Sequence, residues 1–217
     1  MHSVEPAIVL ARRNIREYDR VISVFTRGRG RLTLRVPGVN RPRGKLKAIS
    51  EPFAWSEFRI ASSSAGLGGT VSGGKIISVF PSIRADLRRT RLALHFCELV
   101  LRMTPESQPS REKYNLLVSG LSELERRPAP LALRVAFTLR LMREAGLGLD
   151  RPVLGINTDF WTQLHDAPLS DLDDSDLDPR DMEKAARVVA RFCETHLERP
   201  LKSVLAFATE RGPVRPH

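Results

Sequence analysis

The sequence predicts an α+β chain, with a small β-barrel over residues 1–80 and a helical region over 81–217. Two changes along the chain carry this prediction. Before Pro81 the apolar residues come in short runs, rich in β-branched and aromatic side chains, with stretches of period two. After Pro81 they recur every three or four residues. The charge shifts as well. Residues 1–80 hold 14 Lys and Arg against 5 Asp and Glu, residues 81–149 hold 12 against 7, and residues 150–217 hold 9 against 13.

Five strands are expected in the first part. Ala7–Ala11 is the first, and Arg20–Thr26 the second. Arg27-Gly28-Arg29-Gly30 makes a turn into Arg31–Val36, which alternates polar and apolar residues. Pro37-Gly38 breaks the chain before a basic loop, Asn40–Lys47. Phe53–Ile60 and Lys75–Phe80 supply the last two strands, separated by a Ser/Gly-rich link. Five short strands at this spacing suit an OB-fold barrel.

The helical region is read from its apolar stripes and breakers. One stretch runs from Ile83 to Met103 and stops at Thr104-Pro105. A second covers Arg111–Glu125, and a third Leu131–Ala145, closed by Gly146 and Gly148. Residues 149–178 are acidic and poorly patterned, and read as an irregular insertion. Asp178-Pro179 is a helix start, with Asp as N-cap and Pro in the first turn, for a helix reaching about Leu197. A short helix is expected around Leu201–Phe207.

The net charge of +10 and pI near 10.5 point to a polyanionic partner, because Lys and Arg displace counterions from phosphates. The excess concentrates in Arg27, Arg29, Arg31, Arg35, Arg41, Arg43, Lys45 and Lys47, with no acidic residue among them. These eight are the candidate nucleic-acid contacts. The competing reading is a solvated basic face. OB-fold grooves add aromatic platforms for stacking. Of Tyr18, Phe25, Phe53, Trp55 and Phe58, Trp55 is the candidate stacker, the others being expected in the core.

Other chemistry finds little support. Gly69–Lys75 approaches a phosphate-binding loop, but Ile76 stands where Ser or Thr would reach magnesium, and a strand-like run follows. A glycine-rich hairpin is expected there. The aspartates 171, 173, 174, 176 and 178 lack the Gly and Glu of a calcium loop and read as a solvated acidic loop. His95 and Glu98 share a helix face without a third ligand. Cys97 and Cys193 read as buried apolar thiols. No cofactor, metal or catalytic residue is expected. No signal peptide or membrane span is evident, so the expected location is the cytoplasm, associated with the nucleoid.

The ordered set of segments resembles the RecO family of recombination mediators. The resemblance runs through Ala7–Leu10, Glu17–Thr26, Gly30-Arg31-Leu32, the Gly38 loop with Arg41–Leu46, and Glu51-Pro52-Phe53. It continues with Phe80–Leu87, Leu133–Phe137 through Gly146-Leu147, and His196–Ser203. Two departures stand out. Pro37 replaces the family's usual Lys before the loop glycine, and residues 149–178 have no cysteine where many members carry a four-cysteine zinc insertion. The resemblance implies an OB barrel plus a helical region that binds single- and double-stranded DNA and anneals strands. It also implies help in loading RecA recombinase onto DNA coated by single-strand-binding protein, together with RecR and without a chemical step. For the acidic, apolar-ended tail of single-strand-binding protein, the expected docking place lies between helices 131–145 and 179–197, with Arg134 and Lys184 as rim cations. An RNA-binding OB module, and an adaptor for an acidic protein, are the alternatives. Charge alone does not separate them.

Overall fold

The computed structural model describes residues 2–15, 17–42, 44, 46–61, 68–128, 130–149, 155–197 and 201. Five strands, β1 (His2–Asn14), β2 (Arg20–Thr26), β3 (Gly30–Val36), β4 (Trp55–Ala61) and β5 (Gly69–Ser78), close into a barrel in the order β1-β2-β3-β5-β4. The β3–β5 pairing is parallel and the others are antiparallel. This is the expected α+β architecture, an OB-type barrel followed by helices.

The barrel encloses Ala7, Val9, Ile22, Val24, Leu32, Leu34, Val36, Phe58, Ile60 and Val71. β1 has two apolar faces. Ala7 and Val9 point into the barrel, while Ile8 and Leu10 join Phe25, Phe53 and Phe80 in the core shared with the helices. That double burial explains the unbroken apolar run Ala7–Leu10. A register shift between Val9 and Ala11 then swaps the faces for the rest of the strand.

Two strand expectations change. β1 runs on past Ala11 to Asn14, because β2 pairs with it along that length. Gly69–Lys75 is no hairpin but the first part of β5. At Gly74 the backbone of β4 comes so close that a Cβ would sit 2.8 Å from the Glu57 carbonyl oxygen. Glycine here serves close approach rather than turning.

The helices are α1 (Pro81–Ala85), α2 (Leu87–Met103), α3 (Arg111–Arg126), α4 (Leu131–Glu144), α5 (Thr158–Asp166) and α6 (Pro179–His196). The single stretch expected from Ile83 to Met103 is broken at Asp86, whose carboxylate accepts from the Arg89 amide at 2.9 Å and starts α2. α5 was not expected. It begins at Asn157, whose side chain accepts from the amides of Asp159 and Phe160, and it buries Phe160, Trp161 and Leu164. α6 starts at Asp178 with Pro179 in its first turn, as expected. The acidic segment is more structured than a solvated loop. Asp174 accepts from the Leu131 and Ala132 amides at the start of α4, and Asp178 caps α6. These carboxylates satisfy amides that a helix leaves open. The helix expected over 201–207 lies outside the described residues, apart from Leu201, which is buried.

α2 is the centre of the helical core. Phe96 stacks on Phe137 of α4 with ring centroids 3.7 Å apart. Cys97 faces the Val9 carbonyl of β1, and burial pushes its thiol up to about 12, as it does for Cys193. Both behave as apolar thiols.

Candidate nucleic-acid interface

Register decides what the outside of the barrel presents. Opposed residues on neighbouring strands share a face. Arg13 of β1 opposes Val21 of β2, Val21 opposes Arg35 of β3, and Arg35 opposes Thr70 of β5. Val21 faces outward because its neighbours Arg20 and Ile22 face the barrel interior. Arg13 and Arg35 therefore flank Val21 across about 10 Å, two strand spacings. The next outward row is Ala11, Ser23 and Thr33, all half-buried with small or hydroxyl side chains. The row beyond is Ile8, Phe25 and Arg31, and the first two lie under the helices. What remains is a low, half-buried platform bordered by Arg13 and Arg35 on one side and by Glu106 at Thr33, whose hydroxyl donates to that carboxylate at 2.9 Å.

The rim of this platform is the turn between β1 and β2 together with the loop after β3. Asp19 fixes both. One of its carboxylate oxygens pairs with the Arg35 guanidinium, whose Nε donates at 3.2 Å, and the other accepts from the Gly38 amide at 2.9 Å. The Ile15 amide donates to the Asp19 carbonyl, and the Asn40 amide donates to the Tyr18 carbonyl at 3.1 Å. Arg41 lies over the Tyr18 ring, 5.6 Å from its centroid. The Tyr18 hydroxyl bonds to Glu17, which raises its pKa.

Arg20 closes the mouth of the barrel beneath that rim. It is buried at 2% exposure, and its interior-facing guanidinium donates to Asn14, Asn40, the Ser50 hydroxyl at 2.7 Å and Glu51 at 3.0 Å. Arg12 reaches the same Glu51 at 3.2 Å. Arg84 is held beside them by the carbonyls of Val79 and Pro52, with its guanidinium 4.2 Å from the Phe53 ring centroid. Burial lowers its pKa.

The eight cations expected from sequence fall into two groups, because β2 and β3 each span about 20 Å. Arg27, Arg29 and Arg31 lie at the β2–β3 turn. Arg27 and Arg29 are exposed, and Arg29 reaches the Ser3 hydroxyl at 3.4 Å. Arg31 is half-buried, with Nε donating to the Thr104 carbonyl at 2.8 Å and Nη1 pairing with Glu106 at 3.2 Å. Arg35, Arg41 and Lys47 lie at the other end. Arg43 and Lys45 fall outside the described residues. Arg134 is half-buried on α4, close enough to His95 to help lower its pKa. Lys184 donates to the Gly155 carbonyl at 2.6 Å and pairs with Asp181 at 3.3 Å. α4 and α6 pack on each other, with Met182, Ala185, Val189 and Cys193 buried between α6 and the shared core.

Sequence reading passed over Arg13, Arg20 and Tyr18 as site residues. Only the register shift in β1 turns Arg13 outward and Arg12 toward the mouth. Trp55, the expected stacker, is half-buried and donates its indole N–H to the Tyr114 hydroxyl at 2.9 Å. Among the described residues Tyr18 is the one exposed Phe, Tyr or Trp.

Comparison with known proteins agrees with this architecture. A family model described as Recombination protein O N terminal matches residues 1–80, and one described as Recombination protein O C terminal matches residues 84–151. A DNA repair protein RecO of Pelobacter propionicus is 33% identical over 171 residues, covering 79% of this chain and 68% of the relative. The chain belongs to the RecO family. Two further relatives of the same name are more distant in coverage. The protein of Symbiobacterium thermophilum is 34% identical over 142 residues and that of Bacillus subtilis 29% over 140, each match spanning 54% of the relative. The match to the RecO C-terminal model takes in α2, α3 and α4 and ends before α5. Among the described residues no helix is long and apolar enough to cross a membrane.

Proposed function

We propose that this RecO-family chain is a DNA-binding recombination mediator that acts without a chemical step. It binds single and double strands, anneals complementary strands, and helps load RecA onto DNA coated by single-strand-binding protein, together with RecR. The observation that carries the DNA-binding part is the outward row Arg13–Val21–Arg35 beside a platform of small and hydroxyl side chains, with Arg41 and Lys47 at its rim. Two arginines on one outer face of the barrel suit a phosphate backbone, and small side chains between them let the strand come close. Of the other sequence-expected contacts, Arg27 and Arg29 are exposed at the β2–β3 turn and would form a second, weaker patch, Arg31 is bonded to Thr104 and Glu106, and Arg43 and Lys45 are proposed from the sequence alone. Arg134 and Lys184 are the proposed contacts for the tail of single-strand-binding protein.

The test is binding of a labelled single-stranded DNA by anisotropy across a salt series, comparing wild type with Arg13→Glu/Arg41→Glu/Lys47→Glu. Wild type binds and weakens steeply with salt. The variant binds roughly 100-fold more weakly, and its log K against log salt slope is shallower by about 2, since each single-strand phosphate contact contributes about 0.7. A wild type that does not bind at low salt removes the DNA-binding reading and leaves an acidic protein partner as the target of the basic face.

A further inference from the structure

We infer that the turn between β1 and β2 carries a base-stacking subsite, with the Tyr18 ring as its platform, so that the adjoining arginine row selects a strand whose bases are unpaired. The inference rests on the DNA-binding reading and adds what kind of nucleic acid the surface prefers.

Four observations converge on this turn. Tyr18 is 40% exposed, whereas Phe25, Phe53, Phe58 and Tyr114 around the barrel are buried and Trp55 is bonded to Tyr114. An exposed tyrosine leaves apolar ring surface in water, which a stacked base removes. Ile15, in the same turn, is also exposed at 38%, so the turn offers a second apolar side chain on a rim where Glu17 and Asp19 are already bonded to Tyr18, Arg35 and Gly38. The turn that carries the ring is held in place. The Tyr18 carbonyl accepts from Asn40, its neighbour Asp19 bonds Arg35 and Gly38, and its hydroxyl bonds Glu17. A side chain fixed in advance loses little entropy when a ligand stacks on it. Finally, Arg41 already lies over the ring, and Arg35 and Arg13 follow along the platform.

That combination distinguishes a nucleic acid from a merely acidic ligand. Phosphates alone would use the arginines and ignore the ring. An aromatic ring flanked by guanidinium groups matches an alternation of base and phosphate. In a duplex the bases are stacked on one another inside the helix, so the ring finds no free π-face and only the cations engage. The subsite therefore adds affinity for single strands and little for duplex.

The experiment measures the ratio of affinities for an oligodeoxythymidine and for the same strand hybridised to its complement, at one salt concentration. Wild type is compared with Tyr18→Leu and Tyr18→Phe, and thermal melts check the fold. Tyr18→Leu lowers the single-strand-to-duplex ratio about ten-fold, the effect of losing one stacked base. Tyr18→Phe keeps the ratio near wild type, because the ring and not the hydroxyl does the stacking. A single 2-aminopurine in the strand changes its fluorescence on binding to wild type, and changes less with Tyr18→Leu. An unchanged ratio in Tyr18→Leu overturns the subsite while leaving phosphate binding in place. A loss in Tyr18→Phe equal to that in Tyr18→Leu overturns it in favour of a hydroxyl contact. A wild type that binds neither form overturns the DNA-binding reading itself, and the subsite with it.

Discussion

The two ends of the barrel use the same residue type for opposite purposes. At the β2–β3 turn, Arg31 is committed to the chain between α2 and α3. Its Nε holds the Thr104 carbonyl, its carbonyl accepts from the Ser107 amide at 2.9 Å, and Glu106 bonds both Arg31 and Thr33. This segment lies along the part of β3 that β5 does not reach, since β5 pairs only with Leu34 and Arg35. The helical side thus covers a strand edge that would otherwise expose unpaired amides and carbonyls. At the opposite end, Arg20 holds the mouth shut from inside, while Arg13, Arg41 and Lys47 stay at the surface. The difference teaches that a run of cations in sequence is not one surface. Two strands of about 20 Å separate Arg27, Arg29 and Arg31 from Arg35, Arg41 and Lys47, and within each end contacts decide which arginine is tied down, Arg31 at one and Arg20 at the other.

The sharpest way to break the comparison is to empty the mouth. Arg20→Ala leaves Glu51, Ser50 and two asparagines without their common donor. It should cost about 4 kcal/mol, the scale for removing one partner of a buried charge network. Chemical denaturation with the nucleic-acid surface residues intact measures this. Gly30→Ala attacks the other end. Gly30 has a φ of +74°, and a Cβ there would lie 2.2 Å from the Gln108 carbonyl oxygen, against backbone atoms of Gln108 rather than a side chain that could yield. The expected cost is about 3 kcal/mol from strain and overpacking together. Limited proteolysis should then cut first between α2 and α3.

Two smaller effects sharpen the contrast. Arg27→Glu/Arg29→Glu at the β2–β3 turn should weaken single-stranded DNA binding less than ten-fold, against the roughly 100-fold of the loop-end triple variant. Equal losses would mean that the bound strand runs the whole length of the barrel. Acid separates stability from binding. Burial, with help from Arg134 and against the pull of Glu98, pushes His95 down to about 4. Between pH 6.5, its ordinary value, and about 4, the unfolded chain takes up a proton that the folded chain refuses. Stability therefore falls as pH falls through that window, by up to about 3 kcal/mol from this group. His95→Gln should flatten that part of the pH–stability curve. His95 lies in the helical core and not on the arginine row, so DNA affinity should not follow the same curve while the chain stays folded.

Much of the fold is legible in the residues. β2 spans Arg20–Thr26 as its β-branched run predicts, and α6 starts at Asp178-Pro179 because cap and proline are local signals. α5 was hidden because its apolar residues Phe160, Trp161 and Leu164 are too few to show a period among aspartates, and because half of what holds its end comes from afar. Arg140 of α4 donates to the carbonyls of Leu164 and Ala167. The break at Asp86 was masked by the apolar residues on either side of it.

By itself, then, the sequence determined a basic β-barrel ahead of helices, the order of its strands along the chain, the Asp178 cap of the last described helix, and the RecO resemblance. These rest on periodicity, composition and local hydrogen bonds, which neighbours along the chain suffice to set. Only the tertiary structure decided which arginines face solvent, that Arg20 fills the barrel mouth, and that Tyr18 rather than Trp55 is the exposed ring. Each of those turns on one register shift in β1 or on contacts between residues 16 to 75 positions apart. A one-residue slip reverses the face of every side chain that follows, and no local pattern records it.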